Sequence, residues 1–96
     1  MRVTVPGDDV RTEADLHRIL AQQLEFGDYY GRNLAALRDR LEKDVPRPVD
    51  LVWTRSAVSR EQLGGELFDR IATILRNVAA QDAEFGWADR FTVRFE

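Results

Sequence analysis

The chemistry open to this chain is limited first by what it lacks. It has one histidine, His17, and no cysteine, so thiolate nucleophiles, disulfides, histidine metal clusters and a Ser-His-Asp triad are excluded. The carboxylates of Glu13, Asp15, Glu61, Glu66 and Asp69 suit helix caps and solvated helix faces, with no pair spaced for metal or acid/base work. Asp39 is different. It lies between Arg38 and Arg40, four residues before Lys43, and follows the pair Tyr29-Tyr30, which is bracketed by Gly27 and Gly31. A carboxylate bordered by cations, with two large amphipathic rings on a glycine-flanked loop, has the makings of a binding surface with aromatic anchors. A hydrolase using Asp39 with Tyr29 or Arg32 would lack a nucleophile-base pair, a metal set or a phosphate-cradling glycine loop. The expectation is therefore no enzyme and no cofactor.

The same residues also have plainer uses. Asp39 can pair with Lys43 one helical turn on, and both tyrosines can pack on the edge of the core. His17, near the border of an apolar helical stripe, suits packing or a local hydrogen bond. Trp53 suits the core, and Trp87, beside Phe85 and Gly86, suits a cover over the end of a sheet.

Several elements must position these residues. Val3 and Val5 alternate in a short first strand that Pro6-Gly7-Asp8-Asp9 should stop. Thr12 stands three residues before Asp15 in a capping-box pattern, and Leu16, Ile19, Leu20 and Leu24 recur at helical spacing, so a helix is predicted over about 13–23. Asn33 is a good N-cap for a second helix carrying Leu34, Leu37 and Leu41 and ending near Lys43, before Pro46 and Pro48. At about 100° per residue those leucines span an arc of roughly 60°, and Asp39 points away from its centre, on the face shared by Ala35. Val49 to Thr54 reads as a buried central strand. Ser56 or Ser59 could cap a short helix ending at Gly64-Gly65. Leu67, Phe68, Ile71, Ile74, Leu75 and Val78 then form the strongest amphipathic stripe, in a helix running to about Gln81. Phe91, Val93 and Phe95 alternate with polar residues in a last, one-sided strand over about 90–95.

Strands separated by helices imply crossover connections. The expected architecture is α/β: a three-stranded parallel sheet covered by about four helices, in one domain spanning residues 1–96. The 44% hydrophobic content of 96 residues supports one core and excludes two. A net charge of −3 disfavours direct nucleic-acid binding, which needs clustered cations, and leaves a basic protein partner open. No signal-peptide pattern or apolar span is evident, so a cytoplasmic location is the default expectation.

The string Asp28-Tyr29-Tyr30-Gly31-Arg32-Asn33-Leu34-Ala35-Ala36-Leu37-Arg38-Asp39 closely resembles the loop and helix signature of the barstar family. Agreement extends through Asp15-Leu16-His17, Trp53 and the order of elements. The resemblance implies a cytoplasmic protein, monomeric when free, that binds a secreted-type microbial ribonuclease one to one and inserts its second helix and preceding loop into the nuclease cleft. Asp39 would mimic the substrate phosphate, Tyr29 would pack against a catalytic histidine of the partner, and Gly31 and Asn33 would shape the contacting loop. The implied surface takes in Tyr29, Tyr30, Gly31, Arg32, Asn33, Ala35, Arg38, Asp39, Lys43, Asp44 and Asn77. Four of these depart from the family pattern: Ala35 stands for an Asp, Arg38 for a Trp, Asp44 for an aromatic and Asn77 for a Glu. Those departures predict a weaker grip on the family's usual target and a nuclease with acidic groups at its rim. A different partner, such as a non-ribonuclease toxin met by the same helix face, is the alternative.

Overall fold

The computed structural model describes all 96 residues. Three strands, β1 (Arg2–Pro6), β2 (Val49–Thr54) and β3 (Phe91–Phe95), form a parallel sheet in the order β1-β2-β3. Four helices connect them: α1 (Glu13–Gln23), α2 (Leu34–Lys43), α3 (Ser56–Leu63) and α4 (Gly65–Glu84), with a short 3-10 turn at Gly7–Asp9. This is the α/β architecture expected from the alternation of periods, with β2 at the centre.

The sheet is covered on one face only. Val3 pairs with Leu51 and Val5 with Trp53; these residues, with Val49 and Phe91, belong to a single cluster of 21 buried side chains built with the helices. The other face carries Arg2, Thr4, Thr92 and Arg94, all exposed, around the buried Val52 that pairs with Thr4 and Arg94. Parallel sheets are usually covered on both faces, and here a polar row, including the Arg2–Asp50 ion pair at 3.3 Å, takes the place of a second helical layer. Trp53 is fully buried, and its indole N–H donates to Ser59 Oγ at 2.8 Å while that hydroxyl donates to the Gly7 carbonyl at 2.8 Å. A side chain at Gly7 would put its Cβ 2.2 Å from the Thr54 carbonyl oxygen, so glycine there lets the ends of β1 and β2 close.

The ends of the helices show where local rules operated. The expected capping box is formed: Asp15 N–H donates to Thr12 Oγ1 at 3.3 Å and Thr12 N–H to Asp15 Oδ2 at 3.1 Å. Neither serine caps α3. Arg55 takes the cap position in a left-handed conformation (φ 49°) without a side-chain bond; Ser56 Oγ reaches the Glu96 carbonyl, and Ser59 is committed to Trp53. Both hydroxyls found tertiary partners that outcompeted the cap. The last helix runs three residues beyond Gln81 because nothing breaks it before Gly86, which adopts φ +73°. No helix is long and apolar enough to cross a membrane.

A candidate partner-binding surface

Between α1 and α2 the chain turns one of its two tyrosines in and the other out. Tyr30 is buried, whereas Tyr29 is 95% exposed. Tyr30 packs on Phe26 with ring centroids 4.7 Å apart, and its hydroxyl lies 2.6 Å from Nδ1 of the buried His17, whose Nε2 is 2.9 Å from Glu13 Oε2. With Glu13 ionised, Nε2–H donates to the carboxylate and Nδ1 is left to accept from Tyr30. Burial pushes the Tyr30 phenol up to about 12, the nearby Glu13 charge adding to the effect, so Tyr30 remains a neutral donor. Tyr30, expected among the partner contacts, is placed with its ring and hydroxyl used inside the protein, where it acts as a post for the loop. His17 makes the local bonds expected of it.

Arg40 borders Asp39 in the sequence, as Arg38 does. It turns inward instead, donating to the Phe26 carbonyl at 2.6 Å, with its guanidinium 5.8 Å from the Phe26 ring centroid and 6.0 Å from that of Tyr30. This fastens α2 to the loop from behind. In front, Asn33 accepts the Ala36 N–H at 2.8 Å through Oδ1 and starts the helix. A Cβ at Gly31 would stand 3.3 Å from that of Ala36, a tight approach that glycine avoids. Arg32 between them sits at φ +53°, an uncommon conformation for a residue with a side chain.

The outer face of α2 carries Ala35, Arg38, Asp39 and Lys43, all exposed, followed by the exposed C-cap Asp44. Its charges pair one turn apart: Asp39 with Lys43 at 2.8 Å, Arg38 with Glu42 at 2.8 Å and Arg40 with Asp44 at 3.6 Å. The hydrogen bond from Lys43 to Asp39, reinforced by charge, holds the Lys43 ammonium above its ordinary range. Asp39 is thus not the isolated carboxylate that its neighbours in sequence suggested, since the spacing-allowed pair with Lys43 is formed. Asn77 is exposed on α4 and makes no side-chain hydrogen bond to α2.

An open groove of about 590 Å³ separates α2 from α4, with Leu34, Ala35 and Arg38 on one wall and Arg70, Thr73 and Ile74 on the other. The sequence gives little sign of it. Ile74 reads as part of the apolar stripe of α4, yet it is only half-buried because Ala35 opposite is too small to close over it. No cluster of three or more His, Asp or Glu side chains converges on a metal position. What the face offers is a ring, a carboxylate and a groove, which together can grip a partner.

Residues 1–95 match the family described as Barstar (barnase inhibitor). The chain belongs to the barstar family. It is also 34% identical over 95 residues to a Bacillus subtilis (strain 168) protein named "Putative ribonuclease inhibitor YrdF", the alignment covering 99% of this chain and 98% of that protein. Two of the positions at which this barstar-family chain departs from the pattern it resembles, Ala35 and Arg38, both line the groove. At the far end of α4, Phe85 and the half-exposed Trp87 lie 5.0 Å apart, with the Arg47 guanidinium 6.0 Å from the indole.

Proposed function

We propose that the chain inhibits a small, secreted-type microbial ribonuclease from within the cytoplasm, binding it one to one and blocking its cleft with the 28–44 loop and second helix. Asp39 stands in for the scissile phosphate and Tyr29 packs against the nuclease's catalytic histidine. The observation that carries this reading is the pairing of an exposed ring with an exposed carboxylate on a segment fixed from behind by Tyr30, Arg40 and the Asn33 cap. A segment already held in its bound shape loses little conformational entropy on docking. A carboxylate can replace a phosphate among the nuclease's cations, accepting their charge-assisted hydrogen bonds without presenting a bond to cleave. Its pair with Lys43 is solvent-exposed and cheap to exchange. Arg38 and the exposed Arg32 give the rim a positive character that favours acidic groups on the partner, and mismatched rims are rejected.

The test is an RNA-cleavage assay with purified small microbial ribonucleases, barnase among them, titrated with the wild-type chain and with Asp39→Ala. Stoichiometric inhibition of at least one enzyme is expected. Loss of a desolvated charge contact costs about 2–5 kcal/mol, with contacts at the barstar interface itself reaching higher, so Asp39→Ala should weaken inhibition by roughly 30-fold or more. Barnase should be held less tightly than a nuclease with an acidic rim, since Ala35 and Asn77 supply no charge. Equal inhibition by both proteins would remove Asp39 from its assigned place, and inhibition of none would overturn the reading.

A further inference from the structure

The α2–α4 groove opens beside Asp39's helix face, yet phosphate mimicry makes no use of it. Leu34, Ala35 and Ile74 give it an apolar floor within a lining that is otherwise polar or charged, and Ala35 and Thr73 are exposed to solvent. Most charges around it have partners in the free protein. Arg38 pairs with Glu42, and Asp69 pairs with Arg60; Glu66 sits in the first turn of α4, where the positive end of the helix dipole favours it. Arg70 alone among the lining charges has neither an ion pair nor a favourable helix end.

We propose that this groove is a specificity pocket that receives one large apolar side chain from a surface loop of the partner ribonuclease, with an adjacent carboxylate of that loop meeting Arg70. The proposal rests on the inhibitor reading above. Its support is twofold. The groove is continuous with the outer face of α2 through Ala35 and Arg38, so a nuclease seated over Asp39 reaches it without a second binding event. Its free charge is a cation beside an apolar floor, a combination complementary to an apolar residue flanked by an acidic one. Ala35 then has a positive role: its small side chain opens the entrance, and the chain exchanges a charge contact at that position for a shape contact.

Two measurements test this. In the inhibition assay, with a ribonuclease that the wild type blocks, Thr73→Trp fills the groove from the α4 side and Arg70→Glu reverses its charge. Each is expected to weaken inhibition by about tenfold or more, whereas Arg70→Lys keeps the charge and most of the binding. Inhibition unchanged by both, with Asp39→Ala still damaging, would overturn the pocket and leave the phosphate mimic standing. The second measurement needs no nuclease. Amide NMR shifts are followed during titration with 3-phenylpropionate, a ring carrying a carboxylate, and separately with 2-phenylethylammonium, a ring carrying a cation. The pocket requires that the carboxylate probe move the amides of Ala35, Thr73 and Ile74 more than the ammonium probe does, and that Thr73→Trp abolish the effect. Absence of shifts there, or an equal response to both probes, would overturn it even if no ribonuclease in the panel were inhibited.

Discussion

Two of the carboxylate–cation pairs with a 2.8 Å separation lie in opposite surroundings, which suit them to different uses. Asp39 and Lys43 sit on one face of α2 with 57% and 69% of their side chains exposed, whereas Asp82 and Arg47 retain 3% and 11%. The buried pair is fully committed. Asp82 accepts from Arg47 Nε and Nη2 at 2.8 and 3.1 Å and from the Phe91 N–H at 2.7 Å, while Arg47 Nη1 donates to the carbonyls of Leu41 and Val45, both at 2.8 Å. One ion pair thereby ties the end of α2, the end of α4 and the start of β3. Burial pulls the Asp82 carboxyl upward, but the Arg47 and Phe91 hydrogen bonds, with Arg90 nearby, outweigh it and hold the group below its ordinary value. The exposed pair spends no such desolvation and has other lone pairs free, so a partner's cations can take Asp39 over. Proximity alone does not tell a structural pair from a functional one; solvent and remaining bonding capacity do.

The largest effect separating the two pairs is in stability. Removing one member of a buried pair leaves the other uncompensated, so Asp82→Ala should cost about 3–5 kcal/mol in urea denaturation at neutral pH, whereas Asp39→Ala should leave the midpoint where it is. Similar losses from both would break the comparison. Acid sharpens it. An unfolded chain takes up a proton on Asp82 near its ordinary value of 3.8 while the folded one resists until lower pH. The stabilisation is therefore complete above that value and is lost as pH falls through the folded one. The gap between wild type and Asp82→Ala should narrow below about pH 4; a constant gap down to pH 2 would remove the linkage.

Tyr30 is intermediate, a residue of the proposed recognition loop that is used as structure. Tyr30→Phe leaves the His17 Nδ1 acceptor without its donor and should cost about 1–3 kcal/mol. Between its ordinary value of 10 and about 12, an unfolded chain gives up the phenol proton while the folded chain keeps it. Stability is thus intact below pH 10 and falls as pH rises towards 12. Alkaline denaturation should show that extra loss in the wild type and not in Tyr30→Phe; identical alkaline profiles would place the phenol in water.

The sequence exposed local decisions far better than long-range ones. Thr12-x-x-Asp15 and Asn33 announced their helices because a cap is settled within four residues, and the alternation in β1 and β3 announced strands because burial acts on each side chain separately. Tyr29 and Tyr30 could not be told apart, since what decides between them is His17, thirteen residues from Tyr30, and the inward turn of Arg40. The Arg47–Asp82 tie spans 35 residues; helical spacing puts Asp82 on the buried line of Ile71, Leu75 and Val78, but nothing local identifies Arg47 as the partner that lets a carboxylate stand there. The groove was hidden for the same reason, being a space between two helices whose walls meet only in the fold.

Asn33→Ala tests whether the functional region depends on its local scaffold. Loss of an N-cap typically costs about 1 kcal/mol, and here it also loosens the start of α2, so inhibition should fall together with stability. A stability loss without any loss of inhibition would mean that the cap serves the fold alone.

The smallest effect is the most informative about Asp39. Lys43→Ala removes the cation that holds Asp39 in the free protein, and because both groups are exposed the unfolding midpoint should not move measurably. Two effects act on the complex. Losing Lys43 frees Asp39 from an internal competitor, and it also takes one positive charge away from the surface proposed to face a cationic phosphate site, which lowers repulsion and speeds encounter at low salt. Both favour binding, so Lys43→Ala should inhibit at least as well as the wild type, with any gain in association rate fading as ionic strength rises. A clear loss of inhibition would show instead that Lys43 orients Asp39 for the partner. The exposed pair would then resemble the buried one in function, if not in stability, and the contrast between them would have to be redrawn.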